Sequence, residues 1–201
     1  MIGIFNTEAQ NIGSIKNCLE YLNIKYQLVD NKNINKFSHY ILPGVGSYDK
    51  VIKSLKRNYS INTVKKIIDK KKTLAICVGF QILFENSDEG KEVGLGFFNQ
   101  KIINLKKVDN KQNTPHVGFN SVIRNNLNLG DYYFTHSFGA PYEGQKYSES
   151  VKLFYTNYGK SKIITMIERQ NLIATQFHPE KSGSNGLNLI KNFYAKKKNN
   201  I

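Results

Sequence analysis

Two short segments of the chain carry residue types that form a nucleophile and its base. Cys77 follows the apolar run 74–76 and precedes Val78 and Gly79, whereas His178 lies much later, directly after a second apolar segment. A cysteine at the turn from a strand into a helix is the cysteine form of the nucleophile elbow, which exposes the reactive atom at the carboxyl end of the strand. A nearby histidine would lower the pKa of this thiol and populate the thiolate. The pair predicts nucleophilic catalysis by Cys77, with His178 as its base.

Two neighbouring features are expected to assist this pair. If the segment 178–180 is extended, residues two apart project from the same face, so Glu180 would orient the imidazole of His178 while Pro179 points away. The helix that starts after Cys77 would add the positive end of its dipole, which favours a thiolate. These residues alone leave every cysteine hydrolase open, proteases and esterases included.

The first half of the chain has the pattern of repeated strand–helix–strand units. Apolar runs predict strands at 2–5, 26–29, 40–42 and 74–76, and apolar residues at helical spacing predict helices at 12–22, 48–55 and 64–68. Such units form an open α/β sheet, in which ligands collect outside the carboxyl ends of the strands. We therefore expect a mostly parallel sheet flanked by helices, with Gly44, Val45 and Gly46 close to Cys77.

The second half is richer in strands than in helices. Strands are predicted at 101–103, 119–123, 132–135, 163–167 and 172–177, followed by a closing helix at 187–194. Because few helices separate these strands, we expect a mixed sheet or a subsidiary, more antiparallel sheet. Without repeats or linkers, residues 1–201 are expected to form a single domain.

Composition argues against several other classes of protein. The formal net charge is +14, but the lysines are dispersed and no exposed stripe of basic and aromatic residues is apparent, so nucleic-acid binding is not favoured. No apolar stretch reaches the length of a membrane span, and the amino terminus lacks the pattern of a signal peptide, so we expect a cytoplasmic protein that does not bind a membrane. With only Cys18 and Cys77, a disulfide framework is not expected, and Cys18 is assigned to the core. The four histidines lack ligand-type spacing, so neither a metal nor another cofactor is predicted.

Taken together, five motifs resemble one known family, the class I (triad-type) glutamine amidotransferases. In chain order they are Pro43-Gly44-Val45-Gly46, the elbow at Cys77, Pro115-His116-Val117-Gly118-Phe119-Asn120, Thr135-His136-Ser137 and Gln176-Phe177-His178-Pro179-Glu180-Lys181-Ser182. Within the family the set is most similar to the HisH group, the glutaminase subunits of imidazole glycerol phosphate synthase. The resemblance extends over nearly the whole chain.

The resemblance implies a glutaminase with a Cys77–His178–Glu180 triad. Cys77 would attack the side-chain amide of glutamine, and His178 would protonate the departing ammonia and then activate water. The implied oxyanion hole uses backbone N–H groups of Val78 and of the loop at Gly44 and Val45.

Further roles also follow from the resemblance. Substrate binding is assigned to Gln81, Glu89, His136 and Ser137, and an interface with a HisF-like (β/α)8 synthase subunit is assigned to Asn11, Tyr133 and Lys181. His116 is interpreted as structural support rather than as a catalytic group. In the histidine pathway this partner would use the ammonia to form imidazole glycerol phosphate and AICAR.

The chain departs from the HisH pattern at two places. Residues 6–10 replace the usual Asp-Tyr-Gly-containing segment after the first strand, and Ala75 stands where the elbow usually has glycine. The altered loop leaves a second acceptor open, an amidotransferase that builds an acetamidino sugar of bacterial surface polysaccharide. A non-catalytic scaffold of the same fold is the alternative from another class.

Overall fold

The computed structural model describes residues 1–8, 12–144 and 147–195. In these ranges the strands are β1 (Ile2–Ile4), β2 (Tyr26–Leu28), β3 (His39–Leu42), β4 (Lys72–Ile76), β5 (Phe84–Ser87), β6 (Phe98–Asn104), β7 (His116–Arg124), β8 (Leu127–His136), β9 (Phe138–Pro141), β10 (Val151–Tyr158), β11 (Ser161–Arg169) and β12 (Leu172–Thr175). The helices are α1 (Ile12–Tyr21), α2 (Tyr48–Asn58), α3 (Ile61–Lys70), α4 (Val78–Gln81) and α5 (Gly183–Ala195). Single 3₁₀ turns occur at Leu105–Lys107 and Pro179–Lys181.

The strands form one mixed sheet with the order β2-β1-β3-β4-β12-β11-β10-β7-β8, and β5, β6 and β9 branch from it. Pairing along this path is parallel from β2 through β1, β3 and β4 to β12. It is antiparallel from the β12–β11 pair onward. The predicted α/β fold is confirmed, and the antiparallel half continues the main sheet rather than forming a separate one.

The pairing of β4 with β12 brings together the two segments that were singled out for chemistry. The two strands are parallel, with Ile76 opposite Thr175, and the Cys77 amide donates to the Thr175 carbonyl at 2.7 Å. Cys77 and the residues after Thr175 therefore leave the sheet side by side at its carboxyl edge, as parallel strand ends must. This is how residues a hundred positions apart become neighbours.

The parallel strands are buried on both faces. Strands β1, β3 and β4 are almost continuous runs of buried residues, and their side chains share one core cluster with the apolar faces of the helices, for example Ile15, Leu55 and Ile190. Because helices cover the sheet on both faces, these strands need apolar residues at successive positions rather than at alternate ones. This explains why apolar runs located them correctly in the sequence.

Three strands, β5, β9 and β10, were not predicted from the sequence. β10 reads Val151-Lys-Leu-Phe-Tyr-Thr-Asn-Tyr158, in which polar residues interrupt the apolar ones and hide a strand whose pairing with β11 spans its whole length. The closing helix also starts earlier than predicted, at Gly183 instead of 187. Within the described ranges, no helix combines the length and apolar character that a membrane span requires.

Candidate active site

Cys77 occupies a strained turn between β4 and α4. Its backbone has φ 55° and ψ −110°, a conformation that residues with a side chain rarely adopt. The turn fits against the loop after β3 through two glycines: a Cβ on Gly44 would lie 2.3 Å from the Gly79 nitrogen, and a Cβ on Gly79 would lie 2.1 Å from the Leu42 carbonyl oxygen. The close approach of the two backbones therefore requires glycine at both positions and holds the elbow rigidly.

The helix after the elbow is short. α4 is a single turn, Val78–Gln81, because the chain enters β5 at Phe84. A macrodipole grows with the number of aligned peptide units, so one turn contributes little to a thiolate. The dipole assistance predicted at Cys77 is therefore small.

His178 and Glu180 are joined by a hydrogen bond of 2.8 Å between Nδ1 and Oε1, and both side chains are fully buried. The expected extended segment is wrong: after His178 the chain forms a 3₁₀ turn over Pro179–Lys181, closed by the Lys181 amide on the His178 carbonyl at 3.0 Å. Pro179 starts this turn because its ring fixes the φ angle that the turn needs. Glu180 therefore reaches the imidazole from within a turn and not along a strand face.

The electrostatics of His178 depend on its two neighbours. Burial by itself lowers the pKa of His178, but the negative charge on Cys77 and the charge and hydrogen bond of Glu180 outweigh burial and raise this pKa above its ordinary value. The Nε2 atom of His178 is buried and makes no hydrogen bond of ordinary geometry among the described residues, although the charge of Cys77 and its hydrogen bond to the imidazole help to raise the pKa. With Nδ1 held by Glu180, Nε2 remains available for proton exchange with the thiol or with a bound substrate.

A cavity of about 260 Å³ opens over Cys77. Its lining consists of Val45, Gly46, Cys77, Val78, Gln81, Glu89, Pro115, Thr135, His136, Ser137, Phe138 and His178. Of the residues assigned from the sequence to catalysis, the oxyanion hole and the substrate, all but Gly44 and Glu180 line it. Those two lie directly behind lining residues, Gly44 against Val78 and Glu180 against His178.

The proposed oxyanion donor at Val78 is already engaged. Its N–H donates to the Gly44 carbonyl at 3.2 Å, across the contact between the elbow and the loop after β3. An oxyanion at Cys77 needs donors that point into the cavity. In this conformation the Gly44 carbonyl occupies the Val78 N–H, so this group does not point freely into the cavity.

Glu89 supplies a carboxylate to the cavity wall. Its Oε2 accepts the N–H of Tyr48, the first residue of α2, at 3.0 Å. This bond holds the carboxylate at a helix amino terminus, whereas burial raises the pKa of Glu89 above its ordinary value. Of the charged side chains in the lining, Glu89 is the one suited to an ammonium group.

His136 lines the cavity, but both of its ring nitrogens are used within the protein. Nδ1 lies 2.8 Å from the Phe138 carbonyl, which can only accept, so Nδ1 carries the proton. Nε2 then accepts from His116 Nδ1 at 3.0 Å, and Asn120 Nδ2 donates to His116 Nε2 at 3.3 Å. Burial lowers the pKa of both histidines, that of His136 to about 3, so both rings are neutral. His136 therefore shapes the wall with its ring rather than offering a polar atom to substrate.

Sequence reasoning gave no role to Gln176, which lies directly behind the nucleophile. Its Nε2 is 3.8 Å from Cys77 Sγ, and its Oε1 accepts from Gln81 Nε2 at 3.0 Å. Gln81 Nε2 also donates to the Phe138 carbonyl at 2.8 Å. In the sequence Gln176 opens the motif 176–182, and a glutamine between Thr175 and Phe177, both fully buried, is itself a signal of an internal hydrogen-bond network.

The residues assigned to a partner interface lie beside the cavity as far as they are described. The Lys181 ammonium lies 6.0 Å from the centre of the Tyr133 ring, and Tyr133 packs edge-on against Phe119. Phe119 and Val117 are 62% and 57% exposed, and Val117 is paired with Thr135, which lines the cavity. Asn11 lies outside the described residues.

The unusual first loop contacts the loop after β3. Thr7 donates its hydroxyl to the Pro43 carbonyl at 3.1 Å and is buried, whereas residues 9 and 10 lie outside the described ranges. The second departure, Ala75, is fully buried in β4 between Leu42 and Ala174. Both departures therefore fall on the elements that position the elbow.

Cys18 differs sharply from Cys77. It is buried on α1, and burial, with the charge of Glu180, raises its pKa to about 11. A thiol with a raised pKa is a poor nucleophile near neutral pH. Among the described residues, no group of three or more histidine, cysteine, aspartate or glutamate side chains could hold a metal ion.

Comparison with known proteins agrees with this geometry. Residues 4–197 match the profile of the family described as glutamine amidotransferase class-I. The chain belongs to this family. The amidotransferase is 35% identical to the imidazole glycerol phosphate synthase subunit HisH of Prochlorococcus marinus, over 96% of this chain and 93% of that protein. It is 33% identical to the HisH subunit of Pyrobaculum aerophilum, over 97% of each chain, and 35% identical to that of Staphylococcus aureus, over 95% of each.

Solved structures share the fold of the amidotransferase at lower sequence identity. A crystal structure titled glutamine amidotransferase superimposes with a TM-score of 0.70 at 15% identity, covering 96% of both chains. The structure of PurLQS from Thermotoga maritima gives a TM-score of 0.68 at 17% identity, again covering 96% of both chains. At these identities the likeness concerns the fold alone.

Proposed function

We propose that this chain is the glutaminase subunit of an imidazole glycerol phosphate synthase, which hydrolyses glutamine and passes the ammonia to a synthase subunit in histidine biosynthesis. The observation that carries the proposal is the arrangement at one cavity of a strained cysteine, a buried histidine–glutamate pair and a carboxylate for the substrate ammonium. The HisH names of relatives at 33–35% identity over nearly full length support the synthase assignment.

Catalysis proceeds through a thioester. The Cys77 thiolate attacks the side-chain carbonyl carbon of glutamine, and the tetrahedral intermediate collapses when His178 Nε2 protonates the departing ammonia. His178 then removes a proton from water, which attacks the thioester carbon and releases glutamate and the thiolate. Glu180 keeps the proton on Nδ1, so that Nε2 faces the reaction in both steps.

Substrate orientation follows from the charges in the cavity. Glu89 binds the α-ammonium group of glutamine, while Gln81 and Ser137 contribute polar groups from α4 and from the turn between β8 and β9. The ring of His136 forms part of the cavity wall. The side-chain amide of glutamine is thereby directed toward Cys77.

The oxyanion hole forms when the loop at Gly44 and Val45 turns. The bond between the Val78 N–H and the Gly44 carbonyl opens, and N–H groups of Val78 and of the loop then point at the developing charge. One such donor contributes about 10²–10³ in rate. Because the engaged bond must open first, glutamine hydrolysis is slow in the isolated subunit and faster when a partner favours the turned loop.

The partner docks over the exposed side chains of Val117 and Phe119 and the half-buried Tyr133, with Lys181 at their edge. Exposed apolar side chains beside a cavity are typical of an interaction site. Ammonia released at Cys77 is then covered by the partner rather than lost to solvent. We propose a HisF-like (β/α)8 subunit as this partner, and the cytoplasm as the compartment.

The test is glutamate release from glutamine, measured for the chain alone, with a HisF-like subunit, and with that subunit and its ribonucleotide substrate. We expect stimulation by the partner, formation of imidazole glycerol phosphate, and a loss of about 10³-fold or more in the Cys77→Ala variant. Equal background release from wild type and Cys77→Ala would refute the glutaminase and favour a scaffold. Intact glutaminase without imidazole glycerol phosphate would instead favour the amidino-sugar acceptor.

A further inference from the structure

We propose that Gln176 is a positioning residue for the nucleophile: its amide N–H, oriented by Gln81 and the Phe138 carbonyl, holds the Cys77 sulfur and stabilises its thiolate form. The inference rests on the proposed glutaminase function and adds to it a group behind the sulfur, outside the triad.

The hydrogen-bond network fixes which atom of Gln176 faces the sulfur. The Phe138 carbonyl can only accept, so the Gln81 atom 2.8 Å away must be its amide nitrogen. That nitrogen is also 3.0 Å from Gln176, which must therefore present its oxygen there. The remaining amide group of Gln176, 3.8 Å from Cys77 Sγ, is then the NH₂ donor. The orientation follows from donor and acceptor chemistry at each atom.

The anchor of this network is itself held in place. The Phe138 carbonyl accepts from Gln81 Nε2 and from His136 Nδ1, and His136 is fixed in turn by His116. Burial keeps His136 neutral at working pH, so its proton stays on Nδ1. The donor aimed at the sulfur is therefore preorganised and does not change with pH.

A hydrogen-bond donor in this position affects the ionisation of Cys77 more than the packing of the core. Sulfur accepts weakly as a thiol and strongly as a thiolate, so the contact with Gln176 strengthens when Cys77 loses its proton. The titratable groups that face Cys77 from other elements are His178, Glu89 and His136, of which His136 is neutral. Gln176 adds a neutral donor from behind the sulfur, on the side away from the cavity lining.

The test measures the pH dependence of Cys77 alkylation by iodoacetamide, with the modified residue identified by mass spectrometry because Cys18 is a second thiol. Gln176→Met keeps the length of the side chain but removes the donor. The pH at which alkylation of Cys77 reaches half its maximal rate (the midpoint) should therefore rise by roughly one pH unit. Gln81→Met leaves Gln176 present but frees its amide to turn, so the midpoint should rise by less. Alkylation needs neither glutamine nor a partner, so it reports on this inference even if the proposed glutaminase function fails.

Thr165→Val is the matched control. Thr165 is fully buried, its carbonyl accepts the backbone N–H of Gln176 at 2.8 Å, and its hydroxyl has no hydrogen-bond partner among the described residues. This variant disturbs the same part of the core without touching the amide network, so its midpoint should equal that of wild type.

An unchanged midpoint in Gln176→Met, or an equal rise in Thr165→Val, overturns the proposal. If Gln176→Met does not fold, the test rests on Gln81→Met. A rise in its alkylation midpoint supports the inference, and an unchanged midpoint overturns it. Where glutamine hydrolysis is measurable, Gln176→Met should lower kcat by about tenfold and leave KM within about twofold, because Gln176 lies outside the cavity lining. A rise in KM with unchanged kcat would show a substrate contact instead.

Discussion

The parallel and antiparallel halves of the sheet contribute different things to the same cavity. The parallel half, with β3, β4 and β12, holds Cys77 and His178 at strand ends that are buried on both faces. The antiparallel half includes β7, which has a single fully buried residue, and β8, which becomes buried at alternate positions toward its end at Thr135 and His136 in the cavity wall. Cys77 and His178 thus stand on the more deeply buried half, and the half with an exposed face supplies part of the wall and the surface that we propose for a partner.

The difference follows from what each face contacts. In the parallel half, helices cover both faces, so a displaced strand would expose apolar surface and the elbow is held firmly. In the antiparallel half, Phe119 and Val117 remain exposed on one face while Phe134 is buried on the other. Rigid placement of Cys77 and the exposed apolar face proposed for docking are therefore properties of different halves, and mutations can separate them.

The largest effect is expected on catalysis, from Glu180→Gln in the turn that follows β12 of the parallel half. The variant removes the charge that helps to raise the pKa of His178, and kcat should fall by about 10²–10⁴. Because a lower His178 pKa means that the imidazolium loses its proton at lower pH, the alkaline limb of the kcat/KM profile should move to lower pH. The measurement is the pH profile of glutamate release with the partner present. An unshifted alkaline limb would contradict the role of Glu180.

Core stability should depend far more on the parallel half than on the exposed face of β7. Leu74→Ala empties a fully buried position in β4 and should lower the free energy of unfolding by about 2–5 kcal/mol. Phe119→Ala, at an exposed position, should change it by less than about 0.5 kcal/mol. Urea denaturation of both variants checks this, and equal losses would break the distinction between the halves.

Partner binding should show the opposite dependence. Phe119→Asp places a charge on the proposed docking face and should weaken binding of a HisF-like subunit by about 10- to 100-fold. Its basal glutaminase rate without partner should remain that of wild type, because Phe119 lies outside the cavity lining. Isothermal titration calorimetry measures this binding and tests where the interface lies. Leu127→Asp is the matched control, because Leu127 is similarly exposed at the far end of β8. Equal weakening by both variants would move the interface away from Phe119.

The smallest effect concerns strain at the elbow. Cys77→Gly removes the side chain that opposes a φ of 55°, whereas Cys77→Ala retains its Cβ, so the glycine variant should be more stable by about 1 kcal/mol. Thermal denaturation of the two inactive variants measures the difference. A more stable alanine variant would mean that the elbow is not strained.

The sequence predicted the parallel half well and the antiparallel half less well. Apolar runs such as 74–76 are typical of strands that are buried on both faces, and this pattern located the parallel strands. In β10, buried residues occur at successive positions among polar ones, because each side of this strand meets a different part of the core, and periodicity did not detect it. The turn at Pro179 was also misjudged, because the chemistry of His178 and Glu180 is compatible with either an extended or a turned backbone.

The amino-acid sequence by itself determined the family, and it singled out Cys77, His178 and Glu180 as a candidate triad, because both depend on residue types in a fixed order. Only the tertiary structure decided that the Gly44 carbonyl engages the Val78 N–H and that both nitrogens of His136 are used internally. It also revealed that Gln176 stands behind the Cys77 sulfur. These features depend on which atoms of distant segments meet when β4 and β12 pair, and pairing between segments a hundred residues apart is not encoded in any local pattern.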